Sequence, residues 1–171
     1  MNKLAITTTL LIFAAVLSAP FAQDGGVPKI AVYITGGNSA EEDKILSQRL
    51  LSTLVDGGLF RPVERGDDFL KQIAKEMGKQ RDGSVDNAQV KRIGRQFGVQ
   101  YLCIGDLASA FGITQISARI VDVETAEVLS TGQSEADVER ASELRGAELI
   151  RMMETVAQKM TPSILRAMER R

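Results

Sequence analysis

The sequence contains no histidine and no tryptophan, and it has one cysteine, Cys103, among 171 residues. Without histidine the chain cannot build Ser-His or Cys-His catalytic pairs or histidine metal sites, and it lacks the commonest acid–base group at neutral pH. A single cysteine allows no disulfide within the chain. Because Cys103 lies in an apolar run, we predict that it packs as a small hydrophobic side chain and is not a nucleophile.

The chain also lacks an excess of charge of either sign, with 21 Lys and Arg against 22 Asp and Glu. Such a balance argues against a general nucleic-acid-binding protein, which would carry a strongly basic domain. No EF-hand-like run of acidic residues is present, so no metal is expected, and no cofactor is expected either.

The first 22 residues have the layout of a cleaved secretory signal. Lys3 precedes an apolar run over residues 4–16, which is too short for a spanning helix, and small residues follow it. We place the cleavage after Ala22, with Ala19 as the alternative. No cysteine follows the run to carry a lipid, so we expect an exported chain that is neither a lipoprotein nor inserted in a membrane. Residues 23–28 are expected to be a flexible lead-in.

The stretch from Gly98 to Thr131 predicts the centre of the fold. Its apolar run over residues 101–104 is typical of a strand buried on both faces. A small-residue bend over 108–112 precedes an alternating strand in which Ile116, Ala118 and Ile120 share one face. Asp122 begins a turn, and the chain then continues as a further strand, so an antiparallel hairpin is predicted.

The other segments predict strands and helices around this centre. Strands are expected over residues 30–34 and 60–64, where Pro62 favours an edge position. Helices are expected from Ser39 to Gly57, from Asp67 or Asp68 to Gly78, from Asp86 to Gly98 and from Ser142 or Glu143 to a break at Pro162. The prediction is a single α/β (α+β) domain over residues 29–161, with about five strands in the order β-α-β-α-α-β-β-β-α, and a short helical tail over 162–171.

Five segments in this order resemble the CsgG-type family, with its LpoB and TolB N-terminal-domain-like fold. They are residues 60–65, 69–70, 90–98, 101–105 and 116–125. The resemblance implies a periplasmic domain of a Gram-negative bacterium that acts by binding other proteins, in curli-like secretion, outer-membrane assembly or regulation of peptidoglycan synthesis. Two departures are the missing acylation cysteine and Ala126, which stands where the family has glycine. No segments suit the membrane hairpins of a pore.

Two groups of residues are candidates for a site. Gly36, Gly37, Asn38 and Ser39 lie between a strand and a helix, where phosphates dock on free amides, although Glu41, Glu42 and Asp43 would repel an anion there. The second group is a basic helix face, which would bind an acidic partner or the polyanionic cell envelope and consists of Lys71, Lys75, Lys79, Lys91, Arg92 and Arg95. An ordinary strand-to-helix turn and a solvated helix face are the competing structural interpretations.

Three functional hypotheses follow. The first is a non-catalytic envelope accessory protein that binds other envelope proteins through a strand edge or the basic face, with a homo-oligomer as an open alternative. The second is a periplasmic sensor that binds a small ligand or nucleotide at the Gly36–Ser39 loop. The third is a hydrolase that uses carboxylates alone, for which the available acids are Glu64, Asp67, Asp68, Asp106 and Asp122.

Overall fold

A five-stranded mixed sheet forms the centre of the computed structural model, which describes residues 26–63, 92, 94–144 and 146–170. Within these ranges, residue 92 and residues 94–97 are helical. The elements in chain order are β1 (Lys29–Thr35), α1 (Ala40–Asp56), β2 (Arg61–Pro62), β3 (Tyr101–Ala110), β4 (Ile113–Asp122), β5 (Val128–Ala136), a 3-10 turn (Ala141–Glu143) and α2 (Gly146–Met168).

The strands lie in the order β2-β1-β3-β4-β5. β1 pairs in parallel with β2 and β3, whereas β4 is antiparallel to both β3 and β5. The predicted fold class, one α+β domain with a mixed five-stranded sheet flanked by helices, is therefore confirmed. β3 has a strand on each side, as its apolar run predicts.

The two faces of the sheet are buried in separate clusters. α1 and α2 cover one face with side chains such as Leu50 and Val156, which meet Val32, Cys103 and Ile120 of the strands. The alternation of Ile116, Ala118 and Ile120 toward this face is as predicted. The smaller cluster on the other face contains Ala31, Val99, Leu102, Ile104 and Val123, with Phe97 packed against it.

β2 shows why proline is tolerated at this position. The N–H groups of Arg61 and Val63 donate to the carbonyls of Pro28 and Ile30, at 2.8 and 3.1 Å. Pro62 lies between these two donors, where no N–H is needed for pairing with β1. Among the described strands β2 lies at the edge of the sheet, as predicted, but it has only two residues, fewer than the five predicted over residues 60–64.

Pro162 does not end the last helix, contrary to the sequence prediction. α2 continues through it to Met168, so the separate short tail helix expected beyond Pro162 is part of one helix. Ile164, which follows Pro162, is fully buried in the main core together with Met160. Burial of this apolar stripe outweighs the loss of one backbone hydrogen bond, a tertiary effect that local propensity does not register.

Other boundaries also differ from the predictions. The bend predicted over residues 108–112 is a turn of two residues, 111 and 112, because β3 continues to Ala110, and α2 begins at Gly146 after a 3-10 turn. The helix predicted from Asp67 to Gly78, the start of the helix predicted from Asp86 and the signal segment lie outside the described residues. Gly98 has φ 63°, as expected for the residue that ends a helix there.

Cys103 should be unreactive in the folded protein. It is fully buried in the main core, and burial raises the pKa of its thiol to about 12. At pH 8 only about one molecule in 10,000 would carry the thiolate, the form that reacts. We expect a maleimide reagent to label the native chain at least about 100-fold more slowly than the chain in guanidinium, as measured by mass spectrometry. Equal rates would show that Cys103 is accessible.

Candidate partner-binding site

The loop over Gly36–Ser39 uses its own amides to begin α1. The N–H of Gly37 donates to Asp43 Oδ1 at 2.7 Å, and the N–H of Asn38 donates to Glu42 Oε2 at 2.6 Å. Ser39 is the N-cap and accepts from the N–H of Glu42 at 3.1 Å. Carboxylates of the helix thus occupy the donors that a phosphate would need. This hydrogen bonding counts against the binding of an anion by the loop. That the loop binds a ligand stays a prediction.

The acids that cap this loop sit in a partly buried setting. Burial raises the pKa of Asp43, and this outweighs the lowering by the Gly37 N–H that it accepts. Gly36 has φ +92°, and a Cβ added there would lie 2.1 Å from the carbonyl oxygen of Leu107 in β3. Gly36 is therefore needed for the packing of β1 against β3, whether or not the loop binds anything.

The basic residues predicted as a docking face are only partly placed. Lys71, Lys75, Lys79 and Lys91 lie outside the described residues, and Arg92 is exposed on a helical segment. Arg95 donates to Glu124 Oε1 at 2.9 Å, and both side chains are largely exposed. An exposed pair of this kind adds little to stability. It neutralises one cation of the predicted face, and the role of that face in binding stays a prediction.

Two of the acids considered for catalysis have structural partners. Asp106 on β3 accepts from the hydroxyl of Ser117 at 2.8 Å, and Asp122 is buried at the end of β4. Asp122 Oδ1 accepts from the N–H groups of Glu124 and Thr125, at 2.7 and 2.9 Å. This is the turn-forming role that the sequence predicts for Asp122. Glu64, Asp67 and Asp68 lie outside the described residues.

Ala126 completes this turn in a conformation that suits glycine. Its φ is 62°, and its N–H donates to the carbonyl of Asp122 at 2.8 Å. The turn therefore has a positive φ at the position where the CsgG-type family has glycine, although the residue here is alanine. A non-glycine residue in this region carries a steric cost because its Cβ approaches the following carbonyl.

Ala126→Gly should stabilise the protein by about 1 kcal/mol, because the relief of steric strain exceeds the entropy that glycine adds to the unfolded chain. The measurement is the urea midpoint of unfolding. Ala147→Gly is the matched control, since Ala147 is exposed in α2 and glycine there should destabilise. A loss of stability in Ala126→Gly would contradict the strain at this turn.

β5 is the longer edge of the sheet in the described ranges. It has nine residues, and it pairs with β4 on one side only. The carbonyl of Gln133 accepts from Lys159 Nζ of α2 at 2.8 Å, and the hydroxyl of Ser130 donates to the carbonyl of Met160 at 2.9 Å. A lysine beside an edge strand hinders pairing with another strand. The predicted strand-edge site is therefore present but partly obstructed by α2.

The β3–β4 hairpin carries an exposed apolar tip that the sequence prediction missed. β1 ends opposite Asp106, whereas β3 continues to Ala110, so the tip extends past the neighbouring strand. Phe111 and Gly112 form the two-residue turn, and Ile113 begins β4. Phe111 is fully exposed at 103% and Ile113 is 40% exposed. The aromatic residue beside glycine between two strand segments was the signal that could have revealed it.

A groove of about 320 Å³ lies between the end of β5 and α2. It opens to solvent and is lined by Ser134, Ala136, Leu144, Glu148, Arg151, Met152 and Thr155.

In the part of the chain that the structure describes, His, Cys, Asp and Glu side chains form no group of three or more that could hold a metal ion. No helix in the described ranges is long and apolar enough to cross a bilayer.

Comparisons with known proteins find similar structures but no family. No family model matches the sequence, and no curated protein matches it. The chain is similar to the LpoB C-terminal domain from Salmonella enterica, at 17% identity and TM-score 0.41, over 66% of this chain and 84% of that one. It is also similar to the PelC dodecamer from Paraburkholderia phytofirmans, at 10% identity and TM-score 0.47, over 81% and 87%.

A third similar structure is TolB from Acinetobacter baumannii, at 13% identity and TM-score 0.40, with 67% of this chain covering 24% of TolB. Identities this low and TM-scores below 0.5 assign no family and transfer no activity to this chain. The resemblance to the CsgG-type family accordingly stays a prediction.

Proposed function

We propose that the chain is a non-catalytic accessory protein of the cell envelope that acts by binding another protein. The observation that carries the proposal is the exposed apolar end of the β3–β4 hairpin, where Phe111 and Ile113 face solvent beyond the edge of β1. Exposed large apolar side chains gathered at one projecting end are typical of an interaction surface. The signal-like first 22 residues support a periplasmic location.

The rival function, a sensor of a nucleotide or another anion, finds less support in the geometry. The amides of Gly37 and Asn38 are bonded to Asp43 and Glu42, so an anion would have to displace two carboxylates from the start of α1. The displaced carboxylates would also remain close to the bound anion and would repel it. Curli-like secretion, outer-membrane assembly and peptidoglycan-synthase regulation remain three settings for the proposed binding function.

The experiment uses the full chain, tagged at its C-terminus and exported by its own first 22 residues. Envelope proteins retained by the bait are compared by quantitative mass spectrometry with those retained by an exported control protein of similar size. We expect the chain in the periplasmic fraction, with at least one envelope protein enriched about tenfold or more. Retention of the chain in the cytosol, or no enriched protein, would contradict the proposal.

A thermal-shift series with nucleotides and inorganic phosphate separates the rival. A ligand at 100 times its dissociation constant would stabilise the fold by about 2.7 kcal/mol, which is readily measured. We expect no concentration-dependent shift. A saturable shift that is lost in Asn38→Pro but kept in Val128→Ser would favour the sensor instead.

A further inference from the structure

The turn at Phe111 has an unusual residue for its geometry. Phe111 and Gly112 both have positive φ, 54° and 80°, between the paired residues Ala110 and Ile113. Two positive φ values in a two-residue hairpin define the turn type that favours Asn-Gly. A bulky aromatic residue at positive φ is an outlier, and a fully exposed one gains no burial in return. Local folding therefore does not account for phenylalanine at position 111.

The base of the tip is rigidly held. The hydroxyl of Thr114, which is fully buried, donates to the carbonyl of Val138 at 3.0 Å, so the hydroxyl of Ser109 donates to Thr114 at 2.7 Å. These bonds join β3, β4 and the segment that follows β5. A backbone held in this way loses little conformational freedom when the tip binds, which favours affinity.

The described segment that lies beside the tip is acidic. The hydrogen bond from Thr114 to Val138 brings the segment after β5 beside the tip, and the adjoining 3-10 turn contacts β3. Residues 135–143, which are the end of β5 and the segment after it, carry one basic side chain, Arg140, and four acidic ones, namely Glu135, Asp137, Glu139 and Glu143. Asp137 and Glu139, on either side of Val138, are exposed. We call residues 135–143 the acidic rim.

The negative charge of the acidic rim distinguishes between two surfaces that could bind the tip, a membrane and a protein pocket. A membrane surface rich in anionic headgroups would repel the acidic rim. A protein pocket with an apolar floor and basic side chains at its mouth would attract the rim and accept the aromatic ring. Such an arrangement, an aromatic anchor in a pocket with a polar surround, is the usual form of a binding hot spot.

We propose that Phe111 is the anchor by which this chain binds a protein partner, inserting into an apolar pocket whose rim is basic. The proposal rests on the proposed function and specifies its site and its partner's chemistry. A role in contact accounts for phenylalanine at a turn position where asparagine would suit the backbone better.

The test uses a substitution that should stabilise the fold and weaken partner binding. Phe111→Asn creates the favoured Asn-Gly turn, so its melting temperature should rise by about 2–4 °C. The same variant should retain the enriched envelope protein about tenfold less than the wild type. Phe111→Tyr should keep most of the retention. Val128→Asn is the matched control, because Val128 is an apolar residue 52% exposed on β5, and it should leave retention unchanged.

The acidic rim is tested with a charge variant. Asp137→Lys combined with Glu139→Lys should lower retention severalfold at low salt, and the difference from wild type should shrink as salt is raised. Purified captured protein, identified by mass spectrometry, should show the same order of affinities in a direct binding assay. Equal affinity of wild type and the double variant at all salt concentrations would show that the partner's pocket does not have a basic rim.

The remaining outcomes are also decisive. If wild type and Phe111→Asn retain the same partner equally, the anchor is disproved while the proposed function stands; if the wild type retains nothing, the proposed function itself fails. Vesicles of phosphatidylethanolamine and phosphatidylglycerol should not carry the chain in flotation. Flotation that depends on Phe111 would make lipid the occupant, and Phe111-dependent capture of an untagged copy would make it a second chain; either would overturn the proposal.

Discussion

Ile104→Asp should unfold the domain. Ile104 lies in the central strand, is 5% exposed, and packs with Ala31 and Leu102 in the smaller cluster. A carboxylate there would lose its hydration without gaining a partner, which costs several kcal/mol in addition to the lost packing. The sum, about 5 kcal/mol or more, is comparable to the whole stability of a small domain.

The measurement is far-UV circular dichroism with thermal melting. Val128→Asp is the matched control, because it replaces an exposed β-branched residue on β5 with the same charge and should melt close to the wild type. A native spectrum and a normal melting temperature for Ile104→Asp would show that β3 is not buried on both faces.

Gly132→Val should separate α2 from the sheet. A Cβ added at Gly132 on β5 would lie 2.5 Å from the carbonyl oxygen of Val156 and 2.8 Å from Met160 Cγ. The first contact is with helix backbone, which cannot move away by changing a rotamer. Because Val156 and Met160 are both fully buried, shifting α2 would disturb the main core. We expect a loss of about 3 kcal/mol.

The urea midpoint measures this loss, and Thr131→Val is the matched control. Thr131 is the neighbouring residue on the exposed face of β5, where valine is nearly isosteric and suits a strand. The control should change stability by less than about 0.5 kcal/mol. Similar midpoints for both variants would mean that α2 does not pack closely on β5.

The sheet was predictable because its pattern is strong and local. The apolar run at residues 101–104 indicates a strand covered on both faces, and the alternation at Ile116, Ala118 and Ile120 fixes which face of β4 is buried. Pro62 indicates an edge because it cannot donate to a neighbour. These signals depend only on residue type and on the spacing of apolar residues, and the strands of the structure agree with them.

The errors arise where distant contacts decide the outcome. Pro162 is a helix breaker by propensity, but Ile164 beyond it is buried, and that burial keeps α2 continuous. The bend predicted over residues 108–112 is present but shorter than predicted: only Phe111 and Gly112 form the turn, because β3 stays paired with β4 as far as Ala110. Pairing and burial of this kind involve residues far apart in the chain, which a local pattern does not contain.

The candidate site was predictable only in part. The acidic residues after Gly37 were expected to repel an anion, and the structure shows Glu42 and Asp43 bonded to the loop amides. Phe111 was not singled out, because its exposure depends on how far the hairpin extends beyond β1. Four of the six basic residues proposed for docking lie outside the described ranges, so that proposal rests on sequence alone.

The central claim is that this protein works by presenting its hairpin tip to another protein. Its most direct test is photo-cross-linking in intact cells, with benzoylphenylalanine placed at Phe111 and, in separate strains, at Asn38 and Val128. The account predicts a discrete, light-dependent protein adduct from position 111 and none from the other two. Adducts from position 38 or 128 with none from 111, or no adduct at any position, would contradict it.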